Sequence, residues 1–446
     1  MNCLKAGFCR LDVTPMLGID IRGYFQKRTA DGVLDPLEAN FLALGCGEDK
    51  TILVSVDNCG FDAPEAEALI RSICESTGLP EENVCIHGTH THTGPTLRDR
   101  DTDPLQAEYF QTLTRKLCDG TVMALADMKP AKMGYGIGQA RNVSFMRRYR
   151  MKDGSVRTNP GVNNPDILEP IGKVDENVNV LRFDREGDSL VLVNFGNHPD
   201  VVGGCKLSAD WPGFTRKFVE QAIPGTKCIF FNGAQGDVNH VNVHPVGGDL
   251  NDMFMDFDDV SRGYGHARHH GRVVAGAVMQ VYDKVKYIDV SSIRCAKCTV
   301  RVPSNMPDPA ELPEAHRIND LHREGRDAEL PYTGMMLTTV LAKASRSVAL
   351  EHGPEYFELP LTAIAIGDLA IIGISGEPFT AIGTGLKAAE GWDLVLPFCL
   401  VNGDAGYFPT MDAYVEGGYE SASSHYKAGV SEILIEEGQK LLASLR

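Results

Sequence analysis

Short apolar runs rich in β-branched residues alternate with longer amphipathic stretches along most of this chain, and that alternation limits the folds open to it. Strand-like runs are Lys5 to Val13, Asn40 to Gly45, Thr51 to Val56, Val84 to His87, Lys132 to Ile137, Val178 to Phe183, Ser189 to Phe195 and Lys227 to Phe231. Later ones are Ile288 to Val302, Leu361 to Ile366, Leu369 to Ile374 and Leu394 to Leu400. Helix-like runs are Pro64 to Thr77, Pro104 to Ala126, Gly213 to Ala222, Val260 to Val285, Pro309 to Glu324, Met335 to Leu350 and Gly429 to Leu445. The pattern predicts α/β architecture, with helices covering the faces of β-sheets. Leu361 to Ile366 and Leu369 to Ile374 meet at Gly367-Asp368 and read as a hairpin, so the sheets are mixed rather than purely parallel. Residues 138–176 and 233–259 are irregular and polar, the kind of long connection that usually carries function. Residues 303–350 read as helical, a possible insertion or cap within one catalytic unit spanning 1–446.

A formal net charge of -17 excludes the Lys/Arg excess that nucleic acid or an anionic membrane surface would require. The first ten residues, Met1 to Arg10, contain no apolar signal core, and no run reaches the roughly 18 apolar residues of a membrane span. The expectation is a cytoplasmic chain. Its 12 cysteines are scattered, mostly in apolar runs, and read as reduced core residues. Cys295-Ala-Lys-Cys298 lies in a strand-like run with no second CxxC, so a structural reading outweighs a redox or zinc one.

The segment from Val84 to Pro95 is a short strand running into a loop that carries His87, His90 and His92. In extended backbone His90 and His92 project to one side, which makes a plausible half of a zinc site. Three later strands also end in functional groups: His198 after Val191 to Phe195, Glu377 after Ile371 to Ile374, and Tyr407 after Leu400-Val401 and a Gly-rich turn. Functional groups of α/β proteins collect beyond strand ends. Each group alone is more often structural; converging with His90, they would offer zinc two imidazoles, one carboxylate and one phenolate.

With these segments in view, the chain resembles the neutral/alkaline (non-lysosomal) ceramidases and their bacterial relatives. The resemblance is carried by Arg10 to Pro15, Thr89-His-Thr-His-Thr-Gly-Pro95, Ser208 to Gly213, Asn232 to Val238, and the Tyr-rich block Asn402 to Ser423. It implies a ceramidase-like catalytic domain, a zinc ion (Zn2+) held by His90, His198, Glu377 and Tyr407, and His92, Arg147 and Tyr419 lining the reacting amide. Phe145 to Arg148 matches loosely, and Arg148 competes with Arg147. The chain departs from the family in three places. Asn239-His240 stands where ceramidases have Ser-Pro, Asp404 replaces a Tyr, and the chain ends before any C-terminal immunoglobulin-like domain.

Together these features predict a zinc-dependent amidohydrolase acting on a C–N bond, most simply an N-acyl amide, through a metal-activated water. Tyr419 and Arg147 would donate to the oxyanion, and His92 would orient substrate or move a proton. The Arg-rich stretch Arg141 to Lys152 suggests a small substrate with an acidic or sugar-like group. An esterase or lactonase, a true ceramidase with 303–350 as a greasy lid, and a non-catalytic binding protein remain alternatives. The expected partner is a small-molecule amide, with a homo-oligomer possible. Asp237 reads equally as an orienting carboxylate and as a loop cap. His266, His269 and His270 read as a solvated helix face, and His240 and His244 read as loop residues rather than as residues reaching the pocket.

Overall fold

The apolar runs are nearly continuous rather than strictly alternating, which requires sheets covered on both faces. The computed structural model, described for residues 3–245 and 262–446, has that form. Eight strands build the main path of the larger sheet: β1 (Leu4–Asp12), β2 (Glu38–Cys46), β3 (Asp49–Val56), β4 (Val84–Gly88), β5 (Lys129–Gln139), β6 (Asn177–Arg185), β7 (Asp188–Phe195) and β8 (Thr226–Asn232). Their spatial order is β8-β7-β6-β5-β1-β2-β3-β4, with Lys286–Ile288 added against β5. Neighbours run antiparallel except β3/β4 and β7/β8. A second sheet has the order β9 (Ile293–Pro303), β10 (Tyr356–Ile366), β11 (Leu369–Ile374) and β12 (Leu394–Phe398), with only β11/β12 parallel. The hairpin expected at Gly367-Asp368 joins β10 to β11, and Gly367 takes the left-handed φ of 60° that this turn needs.

Four layers result. Leu42, Leu53, Leu181, Leu192 and Phe231 of the larger sheet pack directly on Ile364, Ile366, Ile371 and Phe398 of the second. The outer face of the larger sheet is covered by α1 (Ala63–Thr77), α2 (Pro104–Ala126), α3 (Asp210–Ala222) and α4 (Tyr264–Tyr282). The helices α5 (Leu312–Arg323) and α6 (Gly334–Leu350) pair through a cluster of their own, which includes Ile318, Leu321 and Leu341. The outer face of the second sheet carries α7 (Thr380–Lys387) and, beyond the short helices α8 (Met411–Glu416) and α9 (Tyr419–Ser423), α10 (Val430–Ser444). Among the described residues no helix is long and apolar enough to cross a membrane.

Several expectations are corrected. Residues 138–176 are not wholly irregular: Arg148–Met151 pairs with Val156–Thr158 and Ile167–Pro170 in a small antiparallel sheet. The cysteines are not all reduced, because Cys3 and Cys46, brought together by the β1/β2 register, form a disulfide. Cys295 and Cys298 stay free on β9. The His-rich helix begins at Tyr264; Val260, where it was expected to start, lies outside the described residues. Its His270 is buried and faces His240, so this is not a solvated face.

Candidate metal centre

The carboxyl ends of the parallel pairs meet at one place. Asn402 Oδ1 accepts the Ile86 N–H at 2.8 Å while its Nδ2 donates to Val84 O at 3.1 Å, which ties the segment after β12 to β4. The Cys399 N–H donates to Asn232 O at 3.0 Å, tying the same segment to β8. Glu377 and Tyr407 then face each other in a short parallel pairing, Glu377–Pro378 against Tyr407–Phe408. The approach needs Gly376, where a Cβ would lie 2.6 Å from Gly406 O. Residues far apart in sequence thus arrive at one site through backbone hydrogen bonds.

The three imidazoles of the His-rich loop separate into different roles. His87 is structural: its Nε2 accepts the Asn232 N–H at 3.0 Å, and burial pushes its pKa down to about 3. His90 and His92 do not converge through strand alternation, since β4 ends at Gly88 and His90 takes a left-handed φ of 74°. The turn itself brings their Nε2 atoms to 3.3 Å.

His90 Nδ1 is 2.5 Å from Cys59 O and His198 Nδ1 is 3.1 Å from Gln235 O. A ring donating its Nδ1–H to a carbonyl presents a lone pair at Nε2. Those lone pairs point at one atom: Glu377 Oε2 lies 3.3 Å from His90 Nε2 and 3.1 Å from His198 Nε2. Oε2 is buried and takes no hydrogen bond. The Tyr407 hydroxyl is 3.5 Å from His198 Nε2. Buried acceptors facing one another are unfavourable unless a cation lies among them, and imidazole, carboxylate and phenol suit zinc. The ligand atoms of His90, His198 and Glu377 all lie within 4.8 Å of one another, so the residues present fit a metal ion. Cys59, His90 and His92 form a second such group, but Cys59 Sγ is 3.8 Å from His90 Nδ1, the nitrogen already committed to Cys59 O.

Without a cation, burial opposes charge on His90 and Glu377 overcomes it, raising its pKa. Burial, with Arg147, lowers His198. Burial and Glu377 raise the Tyr407 phenol well above its ordinary value.

The centre opens on a cavity of about 690 Å³ lined by His90, His92, Glu377, Tyr407 and Tyr419. Arg22 and Asp404, joined at 2.6 Å, line it too, so the Asp at the family's Tyr position serves a buried ion pair. Arg147 and Arg148 part company. Arg147 pairs with Glu420 at 2.7 Å, lies over the Tyr407 ring and donates to Gly236 O, behind Tyr407 rather than on the cavity wall. Arg148 turns away to Glu416 and Gly417. Arg141 faces Glu176 and Arg150 pairs with Glu416, so the Arg-rich stretch presents no free charge to the cavity. Asp237 accepts both the backbone N–H and the hydroxyl of Thr380 at 2.7 Å, capping α7 rather than orienting a histidine. His240 is buried off the cavity wall and His244 is exposed. Two groups went unnoticed in the sequence. Asp200 sits 3.6 Å from His92 Nδ1 and is held by Arg262 at 2.9 Å and by the Tyr24 hydroxyl. Its only signal was its place directly after His198-Pro199. Gln235 fixes His198 through its backbone carbonyl, which leaves no trace in residue type.

No family model matches the chain. Neutral ceramidases A and B of Dictyostelium discoideum are 24% identical to it over 223 and 254 residues, covering 45% and 49% of this chain and 30% and 34% of those proteins. The neutral ceramidase of Pseudomonas aeruginosa is 20% identical over 420 residues, 82% of this chain and 60% of that protein. The chain therefore spans from about a third to three fifths of the length of these curated relatives. The crystal structure of the Pseudomonas aeruginosa neutral ceramidase superposes with a TM-score of 0.75 at 16% identity, over 100% of this chain and 75% of that one. A structure titled as ceramidase complexed with C2 gives 0.72 at 17% identity, over 100% and 76%. The chain is thus similar in sequence to these neutral ceramidases and shares their fold.

Proposed function

We propose that this chain is a zinc-dependent hydrolase that cleaves the C–N bond of an N-acyl amide. One observation carries the reading: a buried carboxylate oxygen without a hydrogen bond faces two imidazole Nε2 atoms at the base of a cavity. His90, His198, Glu377 and Tyr407 would hold the ion. Zinc bound there supplies Lewis acidity and a source of hydroxide near neutral pH.

The chain's own residues do the rest. The Tyr419 ring stands 5.6 Å from that of Tyr407 on the cavity wall, and its phenol, raised by burial, stays protonated to donate to the developing oxyanion. Arg147 positions Tyr407 from behind, its guanidinium carbon 5.1 Å from the Tyr407 ring centre. His92, buried and kept neutral chiefly by desolvation, accepts or delivers a proton at Nε2 beside the departing nitrogen. Phe25, Phe357, Leu359 and Tyr426 offer apolar wall for the acyl part.

The test is turnover of short N-acyl amides, matched esters and ceramide by the zinc-loaded chain. The proposal expects amide cleavage that chelation abolishes and zinc restores. Cleavage of esters alone, or turnover insensitive to chelation, would refute it.

A further inference from the structure

An imidazole that moves a proton at one ring nitrogen needs a partner on the other, because that partner fixes the tautomer and orients the ring. His92 lines the cavity, and its Nε2 faces His90 Nε2 at 3.3 Å. Its Nδ1, on the other side of the ring, has no hydrogen-bond partner and faces Asp200 Oδ1 at 3.6 Å. Asp200 stands behind the ring, off the cavity wall.

The fold builds this pair from both sides. The His92 N–H donates to Pro199 O at 3.0 Å, which ties the residue before Asp200 to the loop that carries the ring. The N–H groups of Val201 and Val202, the residues after it, donate to Asp210 at 3.0 and 2.8 Å. Arg262, at 2.9 Å, and the Tyr24 hydroxyl hold the carboxylate at Oδ1, the oxygen that faces His92. The ring is held as closely. A Cβ at Gly23 would lie 2.7 Å from His92 Cγ, so only glycine fits against the imidazole there. Tyr24 meets the ring edge-on with 5.6 Å between centres, and Arg28 donates to His92 O at 2.7 Å. An unprotonated Nδ1 would aim its lone pair at the carboxylate, whereas an Nδ1–H turns the same approach into attraction. The separation is a few tenths of an ångström beyond a hydrogen bond, and contacts of this kind tighten when substrate fills a site.

We propose that Asp200 is a positioning residue for His92. It holds the imidazole protonated at Nδ1, which leaves the Nε2 lone pair free to take a proton, and its charge steadies the imidazolium that then forms. This rests on the hydrolase reading above. In that reaction the oxygen of water joins the acyl carbon, and the C–N bond breaks with its electron pair going to nitrogen. The proton that water gives up passes through Nε2 to that nitrogen, so the amine leaves neutral and His92 returns to its starting state.

One spectroscopic and one kinetic measurement test the pair. Two-bond proton–nitrogen correlation spectra of the full chain, with histidine rings labelled in nitrogen-15, read the tautomer; His92→Gln identifies the signal. Wild type should carry its proton at Nδ1, and Asp200→Ala should move it to Nε2. Turnover of an N-acyl alkylamide and of the matching N-acyl 4-nitroanilide reads proton delivery, since an alkylamine needs a proton to depart far more than a nitroaniline does. Asp200→Ala should lower kcat for the alkylamide about 10²-fold or more and for the nitroanilide no more than about tenfold. Should Asp200→Ala fail to fold, the wild-type spectrum still decides the tautomer. Asp200→Asn, which keeps an oxygen for Arg262 and Tyr24 but no charge, should then show the selective loss. A His92 proton at Nε2 in wild type overturns the proposal, as does a tautomer that Asp200→Ala leaves in place or an equal loss on both substrates. An Asp200-dependent tautomer with no amide cleaved would sustain the pair and remove the hydrolase reading.

Discussion

Nε2 of His198 lies 3.1 Å from Oε2 of Glu377, and the His198 Nδ1 faces Gln235 O, so two acceptors confront each other in the buried floor of the cavity. That contact makes sense as part of a ligand set whose cation completes the arrangement.

Tyr419 carries the largest catalytic role assigned to the cavity wall. Tyr419→Phe removes one hydroxyl and keeps the ring against Tyr407 and Phe25. It should lower kcat about 10²–10³-fold with little change in KM or melting temperature, as loss of an oxyanion donor does. Steady-state kinetics on an amide substrate check this; an unchanged kcat would take Tyr419 out of the reaction.

Asp57 and Arg216 form an ion pair at 2.6 Å, both fully buried, and Asp57 also accepts the Glu38 N–H at 2.9 Å. Asp57→Ala leaves the buried guanidinium with Glu38 alone, at 3.3 Å, and should cost up to about 3–5 kcal/mol of stability. Denaturant unfolding reads this directly, and a loss below about 1 kcal/mol would contradict it. Zinc affinity should weaken as well, because the Thr89 hydroxyl donates to Asp57 at 3.3 Å and Thr89 precedes His90.

Burial pushes the Asp210 carboxyl up to about 7, against N–H groups of Val201, Val202 and Trp211 that favour its anion. A raised folded-state pKa means the folded chain holds the proton more tightly than the unfolded one, so stability falls as pH rises toward about 7. Asp210→Asn lacks that titration. The stability of wild type minus that of Asp210→Asn should therefore drop by up to about 1.4 kcal/mol per pH unit between about pH 5 and 7, then level off. A difference independent of pH would show that the carboxyl is already ionised throughout.

Long elements were legible because local chemistry writes their ends. The α2 bounds read from sequence match the structure, with the Asp103 side chain capping the Leu105 N–H and Pro104 opening the helix. The helices α7, α8 and α9 were not read, being too short for a 3.6-residue period to show. The sheet-on-sheet core was also missed, because a fully apolar strand such as β11 does not reveal whether a helix or another sheet covers it. At the centre, His90 and His92 were visible, but their geometry was misjudged, since no residue type announces a left-handed histidine. The ambiguity between Arg147 and Arg148 could not be resolved from sequence, because neighbours on a strand point to opposite sides. Glu420 and Glu416, remote in the chain, settle which way each turns.

The account turns on the metal. Elemental analysis of the purified full chain, with His198→Ala and Glu377→Gln prepared in parallel, tests it most directly. The account predicts about one zinc per chain in wild type, a fall of at least about tenfold in both variants, and folded protein in each by circular dichroism. Wild type that stays free of metal after incubation with excess zinc, or variants that retain it in full, would contradict the centre itself.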